Sequence, residues 1–261
     1  KEKKMIDFID EYKLYYYSLI TWVIIAVIIF IILVSFKNLK TYGRHVPKKG
    51  VLLNNRLGWF LMEIPTLILM PYFIYSGTKT INTVIFCFLG LYMLHYFNRT
   101  IIFPFRLKFK KNKIPLHIVF SAAFFNLINT FFLGYYFGNI KMYQENWFTT
   151  PYFISGIIIF FIGMSINIKS DNILINLRKN NNEEYSIPRG GLFKYISCPN
   201  HFGEIIEWLG FAILTWSFAS FSFFIWTACN LIPRSIKHHN WYINKFKKYP
   251  KERKAVIPYL F

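Results

Sequence analysis

Residues 15–36, 57–74, 81–105, 114–137 and 152–168 are five mostly apolar runs, each close to the roughly 20 residues that carry a helix across a bilayer. Inside lipid no water satisfies backbone N–H and C=O groups, so a spanning segment must bond internally. This pattern predicts an all-α integral membrane protein built as a single domain over residues 1–261. Composition agrees. The chain is 54% hydrophobic, 21% aromatic and only 16% charged, whereas soluble domains carry about 25% charged residues.

A further apolar region, 205–232, is long for one helix and short for two. A polar dip at Thr215, Trp216, Ser217 and Ser220 marks a candidate hairpin turn. Charge decides between the two. The first loop holds Lys37, Lys40, Arg44, Lys48 and Lys49, the third holds Arg106, Lys108, Lys110, Lys111 and Lys113, and the fifth holds Lys169, Arg178, Lys179, Arg189 and Lys194. The second and fourth loops hold one lysine each, Lys79 and Lys141. Cytoplasmic loops are the basic ones, and the tail after Ile232 is basic too, so 205–232 must cross twice. The expectation is a seven-transmembrane helix bundle with a lumenal N-terminus and cytoplasmic loops. Residues 15–137 form four N-terminal spans, and residues 152–261 form three spans and a tail. The last two spans should be short or tilted.

The formal net charge of +19 suggests nucleic-acid binding at first sight. The basic residues lie in loops between apolar runs, so membrane topology explains them and nucleic acid is rejected. Cys87, Cys198 and Cys229 are scattered and are expected to be free thiols. The first apolar run is too long, and lacks the small-residue cleavage site, for a signal peptide. No GxGxxG or Walker A string is present, so any dinucleotide must bind without a Rossmann domain or P-loop. His238 and His239 are adjacent, point about 100° apart on a helix, and do not chelate one ion. No metal site is expected.

The costly groups are polar residues at membrane depth. Asn167, Asp171 and Arg178 return to one helical stripe; Asn200 and Glu204 are four apart; so are Arg234, His238 and Tyr242; Tyr249 and Arg253 follow. All fall at the same cytoplasmic edge. Together they offer cations for phosphate, acceptors for ribose or amide, and aromatic faces. Snorkelling accounts for a lone basic flank such as Arg234, Arg253 or Lys254. It does not account for Asn167 with Asp171, or Asn200 with Glu204. In the N-terminal half, Glu63 is the only carboxylate in the second span. Burial favours the neutral acid of a carboxyl, which can then donate a hydrogen bond. With the Tyr96 hydroxyl it can grip a ligand carbonyl; the structural alternative is that Glu63 pairs with His95 or Arg99.

The strings GMSINIKSD at 163–171, LRK at 177–179, YSIPRGGLF at 185–193, PNHFGEIIEW at 199–208 and YPKERKAVIP at 249–258 resemble the steroid 5-alpha-reductase family almost without a gap. WFLMEIP at 59–65 and HYFNRT at 95–100 resemble it in patches. The resemblance implies an NADPH-dependent reductase of an enone carbon–carbon double bond in a lipid, most simply a 3-oxo-Δ4 steroid, on a seven-helix membrane fold in the endoplasmic reticulum. It implies a monomer whose substrate enters from the membrane, with residues 15–137 as the substrate side, residues 152–261 as the cofactor side, and cytoplasmic loops covering a cofactor cavity. By the same resemblance Asn167, Asp171, Arg178, Asn200, Glu204, Arg234, His238, Tyr242 and Arg253 contact NADPH, Tyr185 and Arg189 lie in a loop over it, and Glu63 and Tyr96 bind the 3-keto oxygen. Trp59, Met62 and Asn230 are expected to line the substrate space.

Hydride added at the β-carbon drives negative charge onto the carbonyl oxygen, where preplaced donors in a dry site stabilise it. Two departures bear on the substrate. Met62 stands where the steroid enzymes have Gln, and Asn230 where they have an aromatic residue. Relatives acting on trans-2-enoyl-CoA or polyprenol remain open, the former also on the string SCPN at 197–200. So does a membrane methyltransferase using S-adenosylmethionine, which shares the Pro-Asn-x-x-Gly-Glu type of motif. A non-catalytic lipid-binding protein would leave Glu63 and the Asn167 stripe unexplained.

Overall fold

The computed structural model describes residues 2–36, 50–107, 113–180 and 186–260, with side chains from 12–36, 50–107, 113–177 and 186–260. The basic residues 37–49 and 108–112 and the site candidate Tyr185 lie outside the described residues, as does the side chain of Arg178.

The described residues form seven long helices. They are α1 (Glu2–Ser35), α2 (Asn55–Tyr75), α3 (Thr83–Arg106), α4 (Leu116–Ile140), α5 (Pro151–Asn180), α6 (Pro199–Thr215) and α7 (Phe218–Lys245). The first five each contain a segment long and apolar enough to cross a membrane, matching the five expected spans. Their outer faces are apolar: on α1 alone Ile24, Ile28, Ile31 and Val34 are exposed. Exposed apolar area of that extent belongs against lipid.

The 205–232 region does break in two. Trp216 takes a left-handed conformation (φ 44°) and its N–H donates to Ala212 and Ile213 carbonyls. The Ser217 side chain then caps α7 by accepting from Ser220 N–H at 3.1 Å. The two halves differ in length. α6 has 17 residues, about 25 Å at 1.5 Å per residue, whereas α7 has 28. α7 passes through Pro233 and continues as a polar helix from Arg234 to Lys245.

The all-helical expectation needs one correction. Leu52–Asn54 (β1) pairs antiparallel with Lys113–Pro115 (β2), with Leu53 opposite Ile114. This short ribbon ties the starts of α2 and α4 together. It satisfies backbone groups where the chain re-enters a helix, and Leu116 N–H donates to the Val51 carbonyl at 2.9 Å.

α5 and α6 pack along a glycine seam. Gly156 and Gly163 are seven apart on α5, and Gly203 and Gly210 are seven apart on α6. A Cβ on Gly163 would clash with the Glu207 backbone, one on Gly203 with Asn167, one on Gly210 with Phe160, and one on Gly156 with Leu214. Lipid gives no hydrophobic drive between helices, so small residues that let backbones approach are the usual means of packing. A seven-residue repeat keeps the seam facing its partner. Behind it lies a fully buried aromatic core that includes Trp208, Tyr92 and Phe211.

Gly163→Val forces a branched side chain into the Glu207 backbone and should destabilise by at least about 1–3 kcal/mol. Thermal unfolding in detergent should show a lower Tm. Gly90→Val, where an added Cβ meets nothing within 4 Å, should leave Tm nearly unchanged.

Candidate functional site

α1, α2, α3, α4 and α7 enclose a cavity of about 600 Å³ that reaches the inner ends of α5 and α6. Glu63, Tyr96, Trp59, Met62 and Asn230 line it, as do Asp171, Asn200, Glu204 and Arg234. Two groups of residues predicted separately from sequence thus meet in one space. Phe103, Phe125 and Trp226 supply much of the apolar wall. On the α1–α7 side Trp22 packs on Trp226 with ring centroids 4.4 Å apart, and its indole N–H donates to Asn129 Oδ1 at 3.1 Å.

The stripe on α5 works as its spacing predicts for the two residues whose side chains are described. Asn167 is buried and its amide donates to the Asn200 carbonyl at 3.0 Å and to Glu204 at 3.4 Å. One turn on, Asp171 accepts from Arg99 at 3.2 Å. The glycine seam makes this possible, because Gly203 sits directly against the Asn167 backbone.

Sequence reasoning named Tyr96 on α3 but gave His95 and Arg99 no role except as candidate partners of Glu63. After Phe97 the helix widens into a π-helical turn, Asn98–Ile102, and Arg99 lies in it. Such turns change the angular phase of the residues that follow and recur at functional sites. Arg99 reaches Asp171 and, at 3.8 Å, Glu204, while its guanidinium lies 5.1 Å from the Trp59 ring and 4.8 Å from Phe103. One turn earlier, His95 Nδ1 bonds Glu207 at 2.9 Å, with both side chains almost fully buried. Glu207 has no exposure at all. The rule that singled out Glu63, a carboxylate inside an apolar run, applies equally to Glu207 and would have found it.

These pairings bear on the structural alternative for Glu63. His95 and Arg99 have other carboxylates as their hydrogen-bond partners. Glu63 instead accepts from the Asn126 amide at 3.0 Å. Asn126 is a second residue that sequence reasoning passed over.

The remaining candidates lie apart from the cavity wall. Tyr242 is buried and stacks on Tyr249 (5.3 Å, 10°), and the Arg253 guanidinium lies 5.2 Å from the same ring. His238 faces His201 at 5.9 Å, and Arg189 is exposed beside Gly190, whose φ is +93°. The tail is clamped beside the start of α6: Ser197 N–H donates to the Lys254 carbonyl at 2.8 Å and Cys198 N–H to Ala255 at 3.0 Å. Ser197 Oγ also bonds His239 Nδ1 and the Tyr249 hydroxyl, each at 2.6 Å. Arg253 is 5% exposed, yet its Nε and Nη1 have no hydrogen-bond partner among the described residues. A buried guanidinium left this way is costly unless an anion meets it.

Two outcomes follow from these contacts. Arg99→Met removes the cation that bonds Asp171 and approaches Glu204, at a cost of about 3–5 kcal/mol. The loss should appear as a lower Tm, and Asp171→Asn in the same chain should recover part of it. At His239, burial first and the Lys254 charge second push the imidazole below its ordinary 6.5. The folded state therefore holds it neutral, so its contribution is complete above 6.5 and is lost as pH falls through the lower folded value. Tm measured between about pH 8 and 5 should fall on the acid side, and less steeply in His239→Gln.

Residues 112–261 match the protein family described as 3-oxo-5-alpha-steroid 4-dehydrogenase. Steroid 5-alpha-reductase DET2 of Gossypium hirsutum is 40% identical over 261 residues, covering 97% of this chain and 99% of the relative. The DET2 protein of Solanum lycopersicum is 43% identical over 226 residues, 84% of this chain and 87% of that one. The 3-oxo-5-alpha-steroid 4-dehydrogenase 1 of Rattus norvegicus is 39% identical over 223 residues, 84% and 85% of the two chains. A cavity lined by a carboxyl, a phenol and an ionic cluster thus sits in a chain that belongs to the steroid 5-alpha-reductase family.

Proposed function

We propose that this protein reduces the enone double bond of a 3-oxo-Δ4 steroid or a similar lipid, using NADPH. As a member of its family it is an oxidoreductase acting on a CH–CH bond. The observation that carries the finer reading is the shared cavity. Glu63 and Tyr96 line the same space as Asp171, Asn200, Glu204 and Arg234, so a carbonyl held by the first pair and a cofactor held by the second group are neighbours.

The residues present fit a dinucleotide phosphate. Arg253 offers buried guanidinium atoms without a hydrogen-bond partner among the described residues, and Arg234 and His238 stand two turns and one turn before the Tyr242–Tyr249 stack. Asn167, Asp171, Asn200 and Glu204 supply acceptors and donors for ribose or carboxamide. Arg178, Tyr185 and Arg189 join this set by resemblance. Bound there, the reduced nicotinamide would supply hydride to the β-carbon, and a proton added at the α-carbon would complete the reduction. Glu63 and Tyr96 act at the other end of the enone. Each donates a hydrogen bond to the carbonyl oxygen, and that bond strengthens as negative charge develops there. The aromatic walls keep bulk water from competing for the same oxygen.

The same reading makes α6 and α7 the sixth and seventh spans, with the basic loops and tail in the cytoplasm of an endoplasmic-reticulum membrane. The four N-terminal helices then form the substrate side and the rest the cofactor side. A carbonyl-bearing lipid reaches the cavity from the membrane, past the α1 residues Ile25 and Ile29 that line it.

Purified protein with NADPH should oxidise the cofactor on a 4-ene-3-ketosteroid, and not on a trans-2-enoyl-CoA or a polyprenol. No oxidation with any of the three, or binding of S-adenosylmethionine in place of NADPH, rejects the proposal. Glu63→Gln and Tyr96→Phe should each lose about 10²-fold in turnover while keeping NADPH affinity. Arg253→Ala should mainly weaken NADPH binding.

A further inference from the structure

Asn126 sits in the middle of α4, 6% exposed, and lines the cavity. A primary amide buried in a span needs a reason. Its Nδ2 donates to the Met62 carbonyl at 2.8 Å and to Glu63 Oε2 at 3.0 Å. A backbone carbonyl can only accept, so the contact with Met62 determines which end of the amide faces α2. It must be the NH2 end. The second hydrogen of that nitrogen is then directed at Glu63, and Oε2 is the accepting oxygen. Met62 itself has no donor in its side chain, so this amide reaches Glu63 from another helix.

We propose that Asn126 is a positioning residue for Glu63: it engages Oε2 as an acceptor, so that the carboxyl proton resides on Oε1 and is presented to the substrate carbonyl. This rests on the reading of Glu63 given above. A carboxylic acid has one proton and two oxygens, and without a second contact the carboxyl can rotate and offer either one. If it offers the bare oxygen, a lone pair faces the developing negative charge and catalysis is lost. The Asn126 amide removes that orientation, because an O–H on Oε2 would meet an N–H. The clamp is itself clamped, since the Met62 carbonyl belongs to the same helix as Glu63 and is its immediate neighbour in sequence. Movement of α4 against α2 is limited by the close approach of Gly138 and Gly134 to the end of α2.

The test is a double-mutant cycle on purified protein with NADPH and a 4-ene-3-ketosteroid. Asn126→Leu is similar in size and has no donor. Asn126→Ser keeps a hydroxyl but only one hydrogen, which cannot serve both Met62 and Glu63. Both should lower kcat by about 10-fold or more with the Kd for NADPH unchanged, and that unchanged Kd also reports a folded protein. In a Glu63→Gln background the same substitutions should have little further effect, because the group that Asn126 orients is already gone. Asn126→Gln, which keeps both hydrogens, should recover part of the rate. The proposal is overturned by wild-type kcat in either variant, or by losses that multiply with that of Glu63→Gln. A Glu63→Gln enzyme at full rate would instead remove the role of Glu63. A slow Glu63→Gln with a normal Asn126→Leu would remove the role of Asn126 alone.

Discussion

Two buried ion pairs on α3 hold the two halves of the molecule in register. His95 bonds Glu207 of α6, and Arg99 bonds Asp171 of α5 and approaches Glu204 of α6. The side chains of Arg99 and Asp171 are only 13% and 7% exposed. Charges removed from water carry a penalty of several kcal/mol each, and only a well-placed partner offsets it. α3 therefore cannot slide or rotate against the α5–α6 pair without stranding a charge. Arg99 lies in the π-helical turn Asn98–Ile102, one turn after His95, and its partners lie one turn along from Glu207 on α6 and on the neighbouring α5. On the other side, the glycine seam brings α5 and α6 close enough for Asn167 to bond the Asn200 carbonyl directly. Ion pairs and seam thus act together, one across the halves and one within the C-terminal half.

Much of this architecture can be read from residues alone, and the reason is local physics. The five long spans show because a bilayer demands about 20 apolar residues in a row. The α6–α7 turn shows because Thr215, Ser217 and Ser220 interrupt an apolar run, and the serine at the break is the cap. The α5 stripe shows because side chains three and four apart share a helix face. The ribbon of β1 and β2 does not show: each strand has three residues, too few for an alternating pattern, and its partner lies two helices away in sequence.

The site divides along the same line. Glu63, Tyr96, Asp171 and Glu204 could be picked from sequence because each breaks a local expectation of apolarity or falls on a stripe. Their partners could not. Whether Glu63 bonds His95, Arg99 or Asn126 depends on how α2, α3 and α4 rotate against one another, and helix spacing within one segment does not determine that. Glu207 and Asn126 are intermediate cases. Their burial follows from sequence, whereas their roles follow only from the residues opposite them.

Charge balance explains why the basic tail returns to the site. Among the described residues near the cavity, Arg99 and Arg234 oppose Asp171 and Glu204, so that cluster is balanced without a ligand. The His95–Glu207 pair is neutral overall whichever partner holds the proton. A balanced set is what a membrane interior tolerates, but it has no surplus to neutralise a polyanion. In the proposed reading the surplus comes from outside the bundle. The tail crosses back at Ile196 and Lys254 in a parallel bridge and carries Arg253 into burial with two nitrogens that have no hydrogen-bond partner among the described residues. Placing that cation costs stability in the absence of an anion, and the cost is offset when a phosphate meets it. In that reading the anion closes the site and holds the tail against α6, so cofactor affinity and the stability of the tail rise together.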